Sequence, residues 1–240
     1  MYFRKRTKKD DMSVEHELTK FLDIYFYNQL STKCKHITRI TDKEQQIKGV
    51  DVIIEYENFP SVYIDEKAQM HYMDTCLNTF AFEISFIDNS NNQASGWLFN
   101  HNLLTDTYML IWPLETIYHT QIISITDALR RKNTVRNLLK TMQYMDFKKL
   151  ECYLIKRESI KKFLSENGWN EQKILEMSDK LRTNNQYGKT PVLESNSFYF
   201  YYSKPLEYGE APINIVIRKN ILYNLAYKRY LITTDDIKEL

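Results

Sequence analysis

Glycine, proline and cysteine are scarce in this chain: five, five and three in 240 residues. The three cysteines, Cys34, Cys76 and Cys152, are widely spaced, cannot all pair and form no C-x-x-C element. That argues against a disulfide framework and against a structural zinc site, and it fits thiols in a reducing compartment. The five histidines, His16, His36, His71, His101 and His119, show no zincin spacing. No segment approaches the ~20 apolar residues of a membrane span, and residues 1–11 are polar and charged with no apolar h-region. A soluble, cytoplasmic protein without membrane contacts is expected. Net charge is also small, at +2. Few glycines beside many Lys, Asn, Ile and Tyr suggest an A/T-rich coding bias, which inflates lysine without selection for nucleic acid.

What is present is enough apolar material, 43% of residues, for one large domain or a core with a modest extension. The charge is divided unevenly. Residues 1–120 hold 12 Lys+Arg against 17 Asp+Glu, net −5, and residues 121–240 hold 21 against 14, net +7. Acids that hold cations followed by bases that meet phosphates would give this division, as would ordinary solvated surfaces.

After a basic tail (Arg4, Lys5, Arg6, Lys8, Lys9), Ser13 is a candidate N-cap with Glu15 and Glu17 in the first turn. Val14, Leu18, Phe21, Leu22 and Tyr25 then recur at helical spacing, predicting a helix over 13–30. Strands are expected at 36–40, 49–56 and 61–69, the last two joined by a turn at 57–60, and again at 79–87. A polar loop at 88–95 precedes short runs at 96–99 and 106–114. The second half predicts helices at 127–144, 157–167 and 171–182, with a strand at 151–155. Residues 184–195 read as a polar linker, followed by strands at 198–202 and 213–217 and a last helix at 220–229. The expected class is α/β with a central mixed sheet flanked by helices. Its divisions would be a basic tail at 1–11, an α/β core at 12–156, and a helical and β extension at 157–240 packed on that core.

The informative stretch is GVDV followed by YIDEKAQ, with Asp51 on one strand of the expected hairpin and Asp65 and Lys67 on the next. Strand side chains alternate, so Asp65, Lys67 and Gln69 share one face, and Ile64, Glu66 and Ala68 the other. Two carboxylates and an ammonium can therefore converge. Phosphodiester hydrolysis uses this combination: carboxylates bind Mg²⁺ through oxygen, and a lysine positions water or offsets developing negative charge.

These residues resemble the motif of the PD-(D/E)XK nuclease superfamily, which includes restriction-type endonucleases, archaeal-type Holliday-junction resolvases and repair exonucleases. Asp51 resembles the first acidic position, Asp65 the second, and Lys67 the lysine two residues later. Val50 stands where the motif has proline, and Glu66 offers a second acid beside Asp65, but alternation selects Asp65. The resemblance spans about residues 12–115 and implies a restriction-endonuclease-like core, a helix on a mixed sheet with the site on its second and third strands. It further implies Mg²⁺ or Mn²⁺ as cofactor and endonuclease activity on DNA. Glu15, with Glu17 as alternative, resembles the first-helix glutamate of several members, and Gln69 the glutamine that follows the lysine in resolvase-like ones. A homodimer is admitted by analogy with endonucleases that cut both strands. A competing reading keeps the fold with a vestigial site, as a module that binds nucleic acid or a protein.

Other candidates are weighed against plainer roles. Glu83 interrupts an apolar run and is either a further metal ligand or a solvated edge acid. Arg130, Arg131, Lys132, Arg136 and Lys140 on one helix, and Arg218 and Lys219, either track phosphates or cover a solvated face. Trp97, Trp112, Phe99 and Tyr108 either stack on unpaired bases or fill the core, as does the aromatic run 198–202. His71 and Tyr72 follow the active strand closely and either line its site or take no part in it.

Overall fold

A computed structural model describes residues 8–88, 90–192, 195–205 and 211–240, with side chains from residue 13 onward. The tail residues Arg4, Lys5 and Arg6 lie outside the described residues.

Apolar side chains occupy both faces of the strand Thr107–Thr116, β6 below, and this sets the layering. Met109 and Ile111 point to one core, and Tyr108, Leu110 and Trp112 to a second. A strand buried on both faces must be central, and it is. The strands in chain order are β1 (His36–Arg39), β2 (Val52–Glu55), β3 (Val62–Ala68), β4 (Thr79–Ile87), β5 (Gln93–Ser95), β6, β7 (Phe147–Lys156), β8 (Gly188–Pro191), β9 (Phe198–Tyr202), β10 (Ile213–Arg218), β11 (Lys228–Thr233) and β12 (Ile237–Glu239). The central sheet runs β1-β2-β3-β6-β7-β11-β12, and β3 and β6 are its parallel pair. The second sheet, β5-β4-β10-β9-β8, is antiparallel throughout. The architecture is thus mixed α/β with a mixed central sheet and flanking helices.

The helices are α1 (Lys8–Leu22), α2 (Asn28–Leu30), α3 (Lys43–Ile47), α4 (His119–Ile123), α5 (Ala128–Leu139), α6 (Arg157–Glu166), α7 (Glu171–Thr183) and α8 (Lys219–Leu225). A π-helical turn, Asp23–Tyr27, joins α1 to α2. One face of α1 buries Val14, Leu18, Phe21 and Leu22 against Val52, Ile54, Ile64, Met109 and Ile111. The opposite face of the central sheet packs on the second sheet, with Phe80 edge-on to Trp112 at 5.1 Å between ring centroids. Ile160 and Leu164 of α6 and Ile174 and Leu181 of α7 join that core, beside Phe198, Phe200 and Tyr202. Among the described residues no helix is long and apolar enough to cross a membrane.

Several sequence expectations are corrected. The helix expected at 220–229 stops at Leu225, because Ala226 turns extended (ψ 128°) and the chain continues as β11 paired with β7. The short run 96–99 forms a turn, with Phe99 N–H and Asn100 N–H donating to Gly96 O. The linker at 184–195 contains β8, and the polar loop at 88–95 contains β5. The expected strand at 79–87 is present as β4 but belongs to the second sheet, paired with β10. The first helix begins at Lys8, ahead of Ser13. Residues 157–240 supply strands to both sheets.

Candidate active site

The local geometry starts where β2 stops. Its register pairs Val52 with Ile64, and Asp51 N–H donates to Ile64 O at 2.8 Å as the last backbone bond of the pair. From Asp65 onward β3 therefore has no β2 partner on that edge. The next donor, Glu66 N–H, is taken by the Asp51 side chain, with Oδ2 accepting at 2.8 Å. Asp51 C=O accepts from Ile40 N–H at 2.8 Å, so the residue is held from both sides.

Gly49 makes this turn. Its φ is +74°, and an added Cβ would lie 2.7 Å from Thr105 Oγ1 and 3.2 Å from Leu103 Cδ2. The Thr105 hydroxyl donates to Gly49 C=O, closing the contact. Asp51 is thereby aimed at Asp65.

Asp65, Glu66 and Lys67 alternate as a strand requires. The Lys67 ammonium meets Asp65 Oδ1 at 2.7 Å and lies 5.5 Å from the Trp97 ring centroid. Glu66 points to the opposite face, where its carboxylate accepts from the Tyr27 hydroxyl at 2.7 Å and from Arg39 Nη1 at 2.6 Å. Arg39 in turn donates to Asp23 Oδ1 from both Nε and Nη2, at 3.0 and 2.6 Å. A buried carboxylate is tolerated only with such partners. Glu66 is thus a structural acid whose N–H fixes Asp51, and the π-helical turn carries two of the groups that lock it.

Asp65 is 3% exposed, and its Oδ2 is buried without a hydrogen-bond partner. Burial pushes its carboxyl up to about 7; Lys67 opposes the shift and Asp51, within hydrogen-bonding reach, adds to it. For Lys67 burial works downward, but the carboxylates of Asp65, Asp51 and Glu15 outweigh it and hold the ammonium above the ordinary lysine range.

The three groups face a cleft of about 410 Å³ lined also by Glu15, Gln46, Gly49, Gln69, Phe80, Ala81 and Trp97, and by Glu66 and Ala68 of β3 itself. Glu15 and Gln69 thus reach the same space as the triad. Gln69 Nε2 donates to Thr79 O at 3.3 Å, bracing β4 against β3. Glu17, the alternative to Glu15, turns away: it pairs with Lys20 at 2.6 Å and accepts Tyr144 N–H at 3.0 Å. Glu83 is not among the lining residues; it lies two positions along β4 from Ala81, which is.

Arg130, Arg131, Lys132 and Arg136 of α5 do not line the cleft, nor do Arg218 and Lys219. The α5 helix packs against the α1 side of the central sheet through Val135 and Leu139. Lys219 is engaged with Glu151 Oε2 at 2.5 Å and lies 4.8 Å from the Trp112 ring centroid. Of the aromatic candidates, Tyr108, Trp112 and Phe99 are buried in the core and Trp97 faces the cleft. Gln46 was not foreseen, although Asp42 followed by Gln45 is a legible helix start, and Asp42 accepts Gln45 N–H at 3.0 Å.

Asp51 lies in the bend just ahead of β2 rather than on the strand expected at 49–56, and with Asp65 of β3 it gives two carboxylates with one unsatisfied buried oxygen, which suit a hard divalent cation. Mg²⁺ commonly takes one or two protein carboxylates and completes its shell with water and phosphate. Among the described residues no group of three His, Cys, Asp or Glu gathers as a metal cluster, so a closed all-protein cage is not what this donor set offers. No protein-family model matches the chain, and neither does any curated protein or solved structure.

Proposed function

We propose that the protein is a cytoplasmic metal-dependent nuclease with a restriction-endonuclease-like core, acting on DNA as an endonuclease. The observation that carries this reading is the convergence of Asp51, Asp65 and Lys67 on one cleft at the point where β2 ends. Asp51 and Asp65 would hold Mg²⁺ or Mn²⁺, and the unpartnered Asp65 Oδ2 supports that assignment. A bound divalent ion would supply Lewis acidity toward a phosphodiester. Lys67, kept cationic, offsets negative charge that develops on the phosphate and orients the attacking water by hydrogen bonding. Glu15 and Gln69 line the approach, and Trp97 walls the cleft.

Asp65→Ala and Lys67→Ala are each expected to lower metal-dependent cleavage of plasmid and oligonucleotide DNA by at least 100-fold, and Lys67→Ala, which leaves the buried Asp65 carboxyl without its ammonium, should also lower the melting temperature above pH 7. Undiminished cutting by the Lys67 variant would sink the mechanism.

A second reading has its own support. Lys67 already neutralises Asp65, and no three-carboxylate cluster is present among the described residues. Such a site also fits a non-catalytic module that binds nucleic acid or a protein. Mn²⁺ titration by calorimetry separates the two: heat that disappears in Asp51→Ala and Asp65→Ala favours the nuclease, and no heat in the native chain favours the module.

A further inference from the structure

The outer face of the second sheet meets the cleft. Cross-strand pairing places Thr79 opposite Arg218, Ala81 opposite Val216, and Val216 opposite Tyr199, so these side chains share one face. Tyr201 follows on the same face of β9, opposite Lys189 of β8. Ala81 lines the cleft that holds Asp65 and Lys67, so the face and the candidate active site form one continuous surface. At ~4.8 Å per strand step, Tyr199 lies two strands, roughly 10 Å, from Ala81.

This face is aromatic and basic on its β8 and β9 side, while Glu83 stands on it two residues along β4 from Ala81 and Val216 at its middle is buried. Tyr201 is 43% exposed, and Arg218 and Lys189 are exposed. Lys189 Nζ sits 4.3 Å from the Tyr199 ring centroid, which holds a cation against an aromatic ring. Tyr199 also lies within electrostatic reach of Tyr72, whose side chain is half exposed, and of Arg218. The opposite face of β9 explains why the run is not simply core: Phe198, Phe200 and Tyr202 fill the interior, and only the alternate tyrosines turn outward.

We infer that this face binds single-stranded DNA, stacking unpaired bases on Tyr201 and Tyr199 while Lys189 and Arg218 meet the phosphates, and leads the strand past Ala81 to the cleft. Tyrosines two apart on a strand stand ~7 Å from each other, giving successive platforms. Base–aromatic stacking of this kind tolerates any sequence but requires bases free of a partner strand. The inference rests on the nuclease reading for its direction of travel, though not for the binding itself.

Fluorescence anisotropy with a labelled oligo-dT of about 20 nucleotides, in EDTA, tests it. The Tyr199→Ala/Tyr201→Ala double variant is expected to bind about 10- to 100-fold more weakly, and Tyr199→Phe/Tyr201→Phe to bind as the native chain does. Lys189→Glu/Arg218→Glu, which leaves the sheet packing untouched, should weaken binding and flatten its salt dependence. Blunt duplex of equal length should bind more weakly than oligo-dT and respond little to the tyrosine changes. Unchanged oligo-dT binding by the alanine variant, or equal losses on single-stranded and duplex DNA, would overturn the proposal. Tyrosine-dependent binding without metal-dependent cleavage of any DNA would leave this surface standing and remove the nuclease reading. Normal cleavage of duplex by the alanine variant with unaltered oligo-dT affinity would do the reverse.

Discussion

Asp65 is held in an unfavourable place. A carboxyl with an ordinary value near 3.8 is raised to about 7 by burial and by Asp51, so the folded chain binds that proton more tightly than the unfolded chain does. The sign follows: this group's contribution to stability is greatest below about pH 4, declines as pH rises, and is lost above about pH 7. Without metal, Asp65→Asn should raise the melting temperature at pH 8 and leave it nearly unchanged at pH 4, an effect on the order of a few kcal/mol. Thermal melts in EDTA across that window check it, and equal shifts at both pH values would contradict the assignment. Choosing Asp65 over Glu66 is legible from sequence, because strand alternation puts only Asp65 on the face of Lys67. The Arg39 and Tyr27 partners of Glu66 are not legible: they lie 27 and 39 residues away and meet it only through folding.

At the scale of elements, the site exists because β2 is shorter than β3. Gly49 and Thr105 end β2 at a fixed place, so that the Asp51 side chain, rather than another backbone group, takes Glu66 N–H. Gly49→Ala meets both a positive φ and a 2.7 Å contact, and a cost of about 1–3 kcal/mol is expected. Urea unfolding measures that cost. Calorimetric Mn²⁺ affinity should fall in the same variant, since Asp51 moves with the turn; an unaltered affinity would show that the turn does not aim it. Sequence periodicity located β2, β3, β4 and β10, whose apolar alternation is strong. It carried the last helix through 228–229 and left 230–233 unassigned, where Tyr230 and Ile232 alternate inward but follow a helical stretch without a glycine stop. Pairing with β7, not local propensity, makes that segment a strand.

Across the whole molecule, the last 84 residues are not appended but interleaved. β10 pairs with β4, β11 pairs with β7, and Tyr230 packs on Phe26 of the π-helical turn at 5.0 Å between ring centroids. A chain ending at residue 156 would strip β4 of its β10 partner and expose Phe80, Phe82 and Trp112. It is expected to aggregate or to lack a cooperative melt, measured by circular dichroism and light scattering; a monomeric, cooperatively melting fragment would show an independent core. By itself the sequence determined the α/β class, the face shared by Asp65, Lys67 and Gln69, and the candidate first acid, because these follow from side-chain period and short separations. Tertiary structure alone decided which strands share a sheet, that Glu15 rather than Glu17 reaches the cleft, and that Tyr199 and Tyr201 stand on the same sheet face as Ala81, which lines it. Those outcomes depend on contacts between distant segments, which local patterns do not encode.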